Sequence, residues 1–148
     1  MSIDVSAEII IDRPKDDVPS YVTNPGKDPA WIGGIVESEM LTDPPLGQGT
    51  KVRRVAKFLG RRMEYVPEVV EYVPSSRLVM RADKPFDMMI AYEFEEVGRG
   101  TRVRVQVQGE GSGFFRLADP LMGPVVRRNV SNDLSALKRL LESGASAT

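Results

Sequence analysis

The sequence predicts a single α+β domain, residues 1–148, in which one antiparallel β-sheet is covered by one long C-terminal helix. Three observations carry this expectation. Residues 113–142 place apolar side chains at helical spacing, and residues 86–94 and 103–107 alternate as two strands that match across a hairpin. The order along the chain is one strand, two short helices, about six strands and one long helix, which suits a sheet apolar on one face and a helix to bury that face. A bent sheet around a single helix need not fill its interior with side chains, so a cavity is expected.

Ile3, Val5, Ala7, Ile9 and Ile11 alternate with Asp4, Ser6, Glu8 and Ile10, the period of a half-buried strand that ends at Asp12. Asp12-Arg13-Pro14 then reads as a helix start, with Pro14 near the first helical position and Asp16 and Asp17 in the first turn. Val18, Tyr21 and Val22 form its inner face, Pro19 keeps it short, and Asn24-Pro25-Gly26 closes it. A second short turn, residues 28–32, carries the one tryptophan, Trp31, and stops at Gly33-Gly34.

From Ile35 the chain becomes strand-like. Residues 35–42 lead to the turn Asp43-Pro44-Pro45-Leu46-Gly47, and residues 50–59 follow with Val52, Arg54, Ala56 and Phe58 on one face. In residues 61–73, Met63, Tyr65, Pro67 and Val69 share one face, and Val66, Val70 and Tyr72 the other. Pro67 predicts an edge or a bulge there and leaves the inward face open. Residues 77–82, 86–96 and 101–109 complete the series. Phe86, Met88, Ile90, Tyr92 and Phe94 make the cleanest apolar face, matched by Val103, Val105 and Val107, with Arg102, Arg104, Gln106 and Gln108 outside.

The long helix carries two stripes, Leu117, Leu121 and Val125, then Val126, Val130 and Leu134 prolonged by Leu137 and Leu141. At about 100° per residue they lie roughly half a turn apart. A break or kink near Pro124, beside Gly123, would re-phase them, and Asp119-Pro120 offers a rival start as N-cap and first helical residue. Lys138 and Arg139 suit the negative end of the helix dipole, and Gly144 its stop.

Composition narrows the chemistry. With 20 Lys+Arg against 21 Asp+Glu, the net charge of -1 gives no global attraction for nucleic acid or anionic membrane. There is no cysteine, hence no disulfide or thiolate metal site, and no apolar run of membrane-spanning length. The N-terminal residues alternate as a strand and lack a basic leader, so an unprocessed, cytoplasmic protein is expected. The chain has no histidine, which excludes a histidine triad and leaves acid-base work to a shifted Asp, Glu, Lys or Tyr. Gly109-Glu110-Gly111-Ser112-Gly113 lacks the lysine and spacing of a phosphate loop and reads as a link. Arg61-Arg62 and Arg127-Arg128 lack interleaved aromatics and read as solvated faces.

The element order, Asp12-Arg13-Pro14 leading to Val18, the lone Trp31, Gly47-Gln48-Gly49-Thr50, Glu68-Val69-Val70-Glu71-Tyr72-Val73-Pro74, Gly100-Thr101-Arg102-Val103 and the final RLADPLMGPVVRRNVSNDLSALKRLLE together resemble the START-like SRPBCC superfamily, in its polyketide cyclase/dehydrase and lipid-transport group. The resemblance covers nearly the whole chain. It implies a helix-grip fold, a curved sheet wrapped around the C-terminal helix, and a deep pocket for hydrophobic molecules. It does not imply one activity, since members include lipid carriers, hormone receptors, aromatic cyclases and chaperone co-activators.

On this reading the function is binding or transport of a small hydrophobic molecule, without cofactor or metal, by a monomer or weak homodimer. A cyclase or dehydratase and a protein-interaction module are the alternatives. The candidate lining is Trp31, Met63, Tyr65, Met88, Ile90, Tyr92, Phe114, Leu121, Met122 and Val125, apolar and pliable side chains that suit an apolar ligand and equally suit a core. Catalytic candidates are Tyr65, Tyr92 and Arg54 as proton donors or enolate stabilisers. Arg54 is expected to be solvent-exposed beside Arg53, because arginine is rarely buried unpaired; if inward, its partner would be a ligand anion or Glu68, Glu71 or Glu93.

Overall fold

The computed structural model describes residues 2–58, 60–84, 87–110 and 122–144, with the backbone alone for Ser2, Ile3, Phe58, Glu110, Met122 and Gly123. Strand β1 is Ser2–Ile11, followed by helix α1 at Asp17–Val22, a 3-10 turn at Pro25–Lys27 and helix α2 at Asp28–Trp31. Then come β2 (Ile35–Met40), β3 (Val52–Phe58), β4 (Arg61–Tyr65), β5 (Glu68–Val73), β6 (Arg77–Ala82), β7 (Asp87–Val97) and β8 (Gly100–Glu110), and helix α3 at Met122–Glu142. The fold is α+β and helix-grip: a five-stranded antiparallel sheet in the order β1-β8-β7-β6-β5 and a three-stranded one, β2-β3-β4, form a curved wall with α3 against it.

The two sheets are joined along one run of chain. Residues 61–73 do not form one strand; they break at Val66-Pro67 into β4, which pairs with β3, and β5, which pairs with β6. Pro67 has no N–H to give to a ladder, and its carbonyl instead accepts Val52 N–H at 3.1 Å. Gly49 N–H to Val69 O and Val69 N–H to Thr50 O, at 2.7 and 2.8 Å, complete the seam. The inward face is Tyr65, Pro67 and Val69, all buried. A bulge between Val69 and Glu71 then re-phases the strand, so Tyr72 turns inward opposite Leu78 while Val70 and Val73 are exposed. A second bulge between Ile35 and Glu37 does the same in β2.

The hairpin register follows the apolar pattern, with Ile90 opposite Val107, Tyr92 opposite Val105 and Phe94 opposite Val103. Phe86 lies outside the described residues. In β1, Val5 and Ile11 are buried and Ala7 and Ile9 half-buried, as the alternation requires. Gly100 opens β8 where a Cβ would come within 2.6 Å of the Ile11 carbonyl oxygen, so no larger residue fits without moving backbone.

Helix α3 turns its second stripe to the sheet: Leu134, Leu137 and Leu141 are buried, Val126 and Val130 half-buried. Fully burying each leucine is worth about 1.5–3 kcal/mol. Of the first stripe, Val125 is 39% exposed, and Leu117 and Leu121 lie outside the described residues. Pro124 falls in the first turn of α3, where its missing N–H has no helical partner to lose. A break before Met122, including the Asp119-Pro120 start, lies outside the described residues.

Asp12-Arg13-Pro14 has a role other than the one its pattern predicts. Helix α1 begins at Asp17, with Asp16 before it. Arg13 instead donates to the Leu141 carbonyl oxygen at 2.6 Å and to Asp17 Oδ2 at 2.6 Å. Asp12 N–H meets Glu142 Oε2 at 2.8 Å, and Lys138 Nζ meets the Ile10 carbonyl oxygen at 2.8 Å. The end of α3 is therefore tied to the end of β1, with the Arg13 guanidinium on a free helix carbonyl and Lys138 of the helix on a carbonyl of the strand.

Candidate functional site

Beneath α3, where the two sheets meet, the described residues line a cavity of about 70 Å³. Its wall takes Trp31 and Ile32 from α2 and its exit, Ile35 from β2, Arg54 from β3, Tyr65 from β4, Ile90 and Tyr92 from β7, Val105 and Val107 from β8, and Val130 and Asp133 from α3. A larger depression of about 500 Å³ lies on the opposite face of the five-stranded sheet. Ion pairs already occupy it, Arg77 with Glu93 and Arg102 with Glu8 and Glu95, so it offers less to an apolar ligand than the cavity does.

Arg54 is 3% exposed, which overturns the expectation of a solvated side chain. It stays on the inward face with Val52 and Ala56 because a partner is supplied from the other layer. Asp28, the first residue of α2 and 1% exposed, accepts Arg54 Nε at 3.1 Å and Nη2 at 2.9 Å on a single oxygen, Oδ2. Ser38, opposite Arg54 in β2, donates to the same oxygen at 2.8 Å. The anionic partner is thus Asp28, not Glu68, Glu71 or Glu93. Asp28 Oδ1 and Trp31 Nε1 are buried without a hydrogen-bond partner among the described residues.

The electrostatics follow from burial. Desolvation acts to lower the Arg54 pKa, yet the charge of Asp28, with Tyr92 and Tyr65, outweighs it and leaves the guanidinium raised, so it keeps its proton. Burial raises Asp28, against the pull of Arg54 and Ser38. Tyr92 is pushed up to about 12 by burial, with Arg54 opposing, and remains a proton donor at neutral pH. Its ring meets Trp31 edge-on, with centroids 6.2 Å apart. Asp133 is pushed up to about 6 by burial, opposed by the Gly33 N–H that its Oδ1 accepts at 2.9 Å.

The cavity therefore brings together Trp31, Arg54, Tyr65, Ile90 and Tyr92. Met63 is half-buried opposite Ala56 but is not part of the wall. Met88 packs on the neighbouring cluster of Ile35, Ala56, Tyr65 and Ala82, and Val125 is exposed. Phe114 and Leu121, and the side chain of Met122, lie outside what the structure describes. Sequence reasoning missed Asp28, Ser38 and Asp133. The signal for Asp133 was present: it stands three residues after Val130 and four before Leu137, on the buried stripe.

Comparison with known proteins agrees with this architecture. Residues 2–142 match the family described as polyketide cyclase / dehydrase and lipid transport. No curated protein sequence matches the chain. Among solved structures, the protein TTHA0849 from Thermus thermophilus superposes with a TM-score of 0.78 at 21% identity, over 96% of this chain and 99% of that one. A START superfamily protein from Mycobacterium smegmatis gives 0.71 at 17%, over 95% and 94%. The di-domain ARO/CYC BexL of the BE-7585A biosynthetic pathway gives 0.74 at 19%, over 94% of this chain and 46% of that one. At these identities the likeness shows the fold.

Proposed function

The chain belongs to the polyketide cyclase/dehydrase and lipid transport family, and on that premise we propose that it binds a small hydrophobic molecule, lipid or polyketide-like, in the cavity between the sheets and α3. The observation that carries this reading is the chemistry of the wall. Apolar side chains surround a buried guanidinium and two tyrosines, the pattern of a pocket that accepts an apolar body and fixes one polar group.

A second, enzymatic reading, a cyclase or dehydratase, is favoured by the meeting of Arg54, Tyr65 and Tyr92 in one cavity, where they would stabilise an enolate. One experiment addresses both. Native mass spectrometry of gently purified protein, with a thermal-shift screen of fatty acids, sterols and aromatic polyketides, is expected to find a retained apolar ligand. It is also expected to find a stabilisation of about 2.7 kcal/mol at 100 times the Kd. A ligand returned unchanged marks carriage, and one returned short of a water molecule marks dehydration. No shift with any class would sink the binding reading.

A further inference from the structure

Asp133 is the carboxyl group in the cavity wall that no buried cation neutralises. Its Oδ1 is held by Gly33 N–H, while Oδ2 has no hydrogen-bond partner among the described residues. The charged or titratable groups that share the wall are Arg54 from β3, Tyr65 from β4 and Tyr92 from β7; the α2, β2 and β8 residues of the wall and Val130 of α3 carry none. Arg54 is already engaged by Asp28 through Nε and Nη2. The cavity thus presents a cation and phenol hydroxyls together with a separate carboxyl. Those are the donor and acceptor functions that a proton transfer at carbon needs.

We propose that Asp133 is the proton-transfer residue of this cavity, acting on a small apolar carbonyl compound with an acidic α-hydrogen whose oxygen is held by Arg54, Tyr65 and Tyr92. This rests on the reading of the cavity as a ligand site. In the step, Asp133 Oδ2 takes the α-proton, the C–H electron pair becomes the carbon-carbon double bond of the enolate, and the carbonyl π pair moves to oxygen. Arg54 and the tyrosine hydroxyls receive that charge. Return of the proton to carbon restores the ketone, and its delivery to oxygen gives the enol, so no oxidant, reductant or second substrate enters. Burial serves the base as well. A carboxyl pushed up to about 6 is still ionised at neutral pH and is a better proton acceptor than an exposed aspartate, in a chain without histidine.

Acetylacetone is a probe of suitable size. Its enol-rich form, diluted from an organic solvent into water, converts to the diketone through the same proton transfer and is followed by loss of enol absorbance, while ligand-observed NMR reports binding separately. The wild-type protein is expected to accelerate ketonisation at least tenfold over buffer, with an enzyme-dependent pH profile centred near 6. Asp133→Asn should still bind but lose about 100-fold of the protein-dependent rate, and Asp133→Glu should recover part of it. Binding without acceleration, or an unchanged rate in the asparagine variant, overturns the role of Asp133 and leaves the binding reading standing. Absence of binding overturns both. Should Asp133→Asn lose its fold by circular dichroism, the wild-type profile decides, and a rate flat between pH 5 and 8 rejects the proposal.

Discussion

The two ends of α3 meet the sheet in different ways. Toward Glu142, Leu137 and Leu141 are fully buried, and Arg13, Lys138 and Asp12 N–H close the polar ends over them. Toward Met122, the same helix presents half-buried Val130 and Asp133 to a cavity, and the opposite wall holds Arg54, paired with buried Asp28, one oxygen of which has no hydrogen-bond partner among the described residues. One end is organised as a core, where apolar area and capping add up without conflict. At the other, charged groups are kept out of water at a cost in desolvation that packing does not remove. The contrast separates what holds this domain together from what it presents to a ligand.

The largest effect should come from the ion pair. Asp28→Ala strands the Arg54 guanidinium in the interior and is expected to cost about 3–5 kcal/mol in urea unfolding, with the double variant Asp28→Ala/Arg54→Met recovering part of the loss. A double variant no more stable than the single would show that the pair is not coupled as described. Next, Leu137→Ala at the closed end should cost about 2–5 kcal/mol by leaving a cavity, yet leave ligand affinity within a factor of two or three per bound state. A large affinity change there would erase the division between the two ends. The smallest effect concerns pH. The folded protein prefers neutral Asp133, whose pKa rises from 3.8 to about 6, so this group's contribution is full below about 3.8 and is lost as pH rises through about 6. Asp133→Asn should therefore flatten that fall in thermal melts taken from pH 4 to 7, and an unaltered slope would mean that Asp133 is not held as seen.

The apolar half of this arrangement was legible in the sequence. Period-2 alternation placed Ile90, Tyr92 and Phe94 opposite Val107, Val105 and Val103, and helical spacing picked out Val130, Leu134, Leu137 and Leu141. These patterns are local and repeat, so the chain displays them. The polar half was not legible in the same way. Arg54 stood on the inward face by period, but what makes its burial tolerable is Asp28, a residue 26 positions earlier on another element. A pairing of that kind has no period. The β2 bulge escaped for a related reason, since an extra backbone residue leaves no mark in composition and Val36 looks like an ordinary strand residue; in residues 61–73 the edge-or-bulge signal was Pro67, where the chain breaks into two strands, and the bulge itself follows at Val70.

Those two bulges set a counting rule for the chain. Because neighbouring strand residues point to opposite sides, β2 and β5 each carry one odd residue that flips everything beyond it. Losing Val70 alone would restore a regular ladder and leave Glu71 outside opposite Val79 and Tyr72 inside opposite Leu78. Losing Glu71 as well would bring Tyr72 next to Val69 and turn it out of the interior. For lineages of this protein, length changes near Val36 and Val70 are thus filtered by parity before they are filtered by side-chain chemistry.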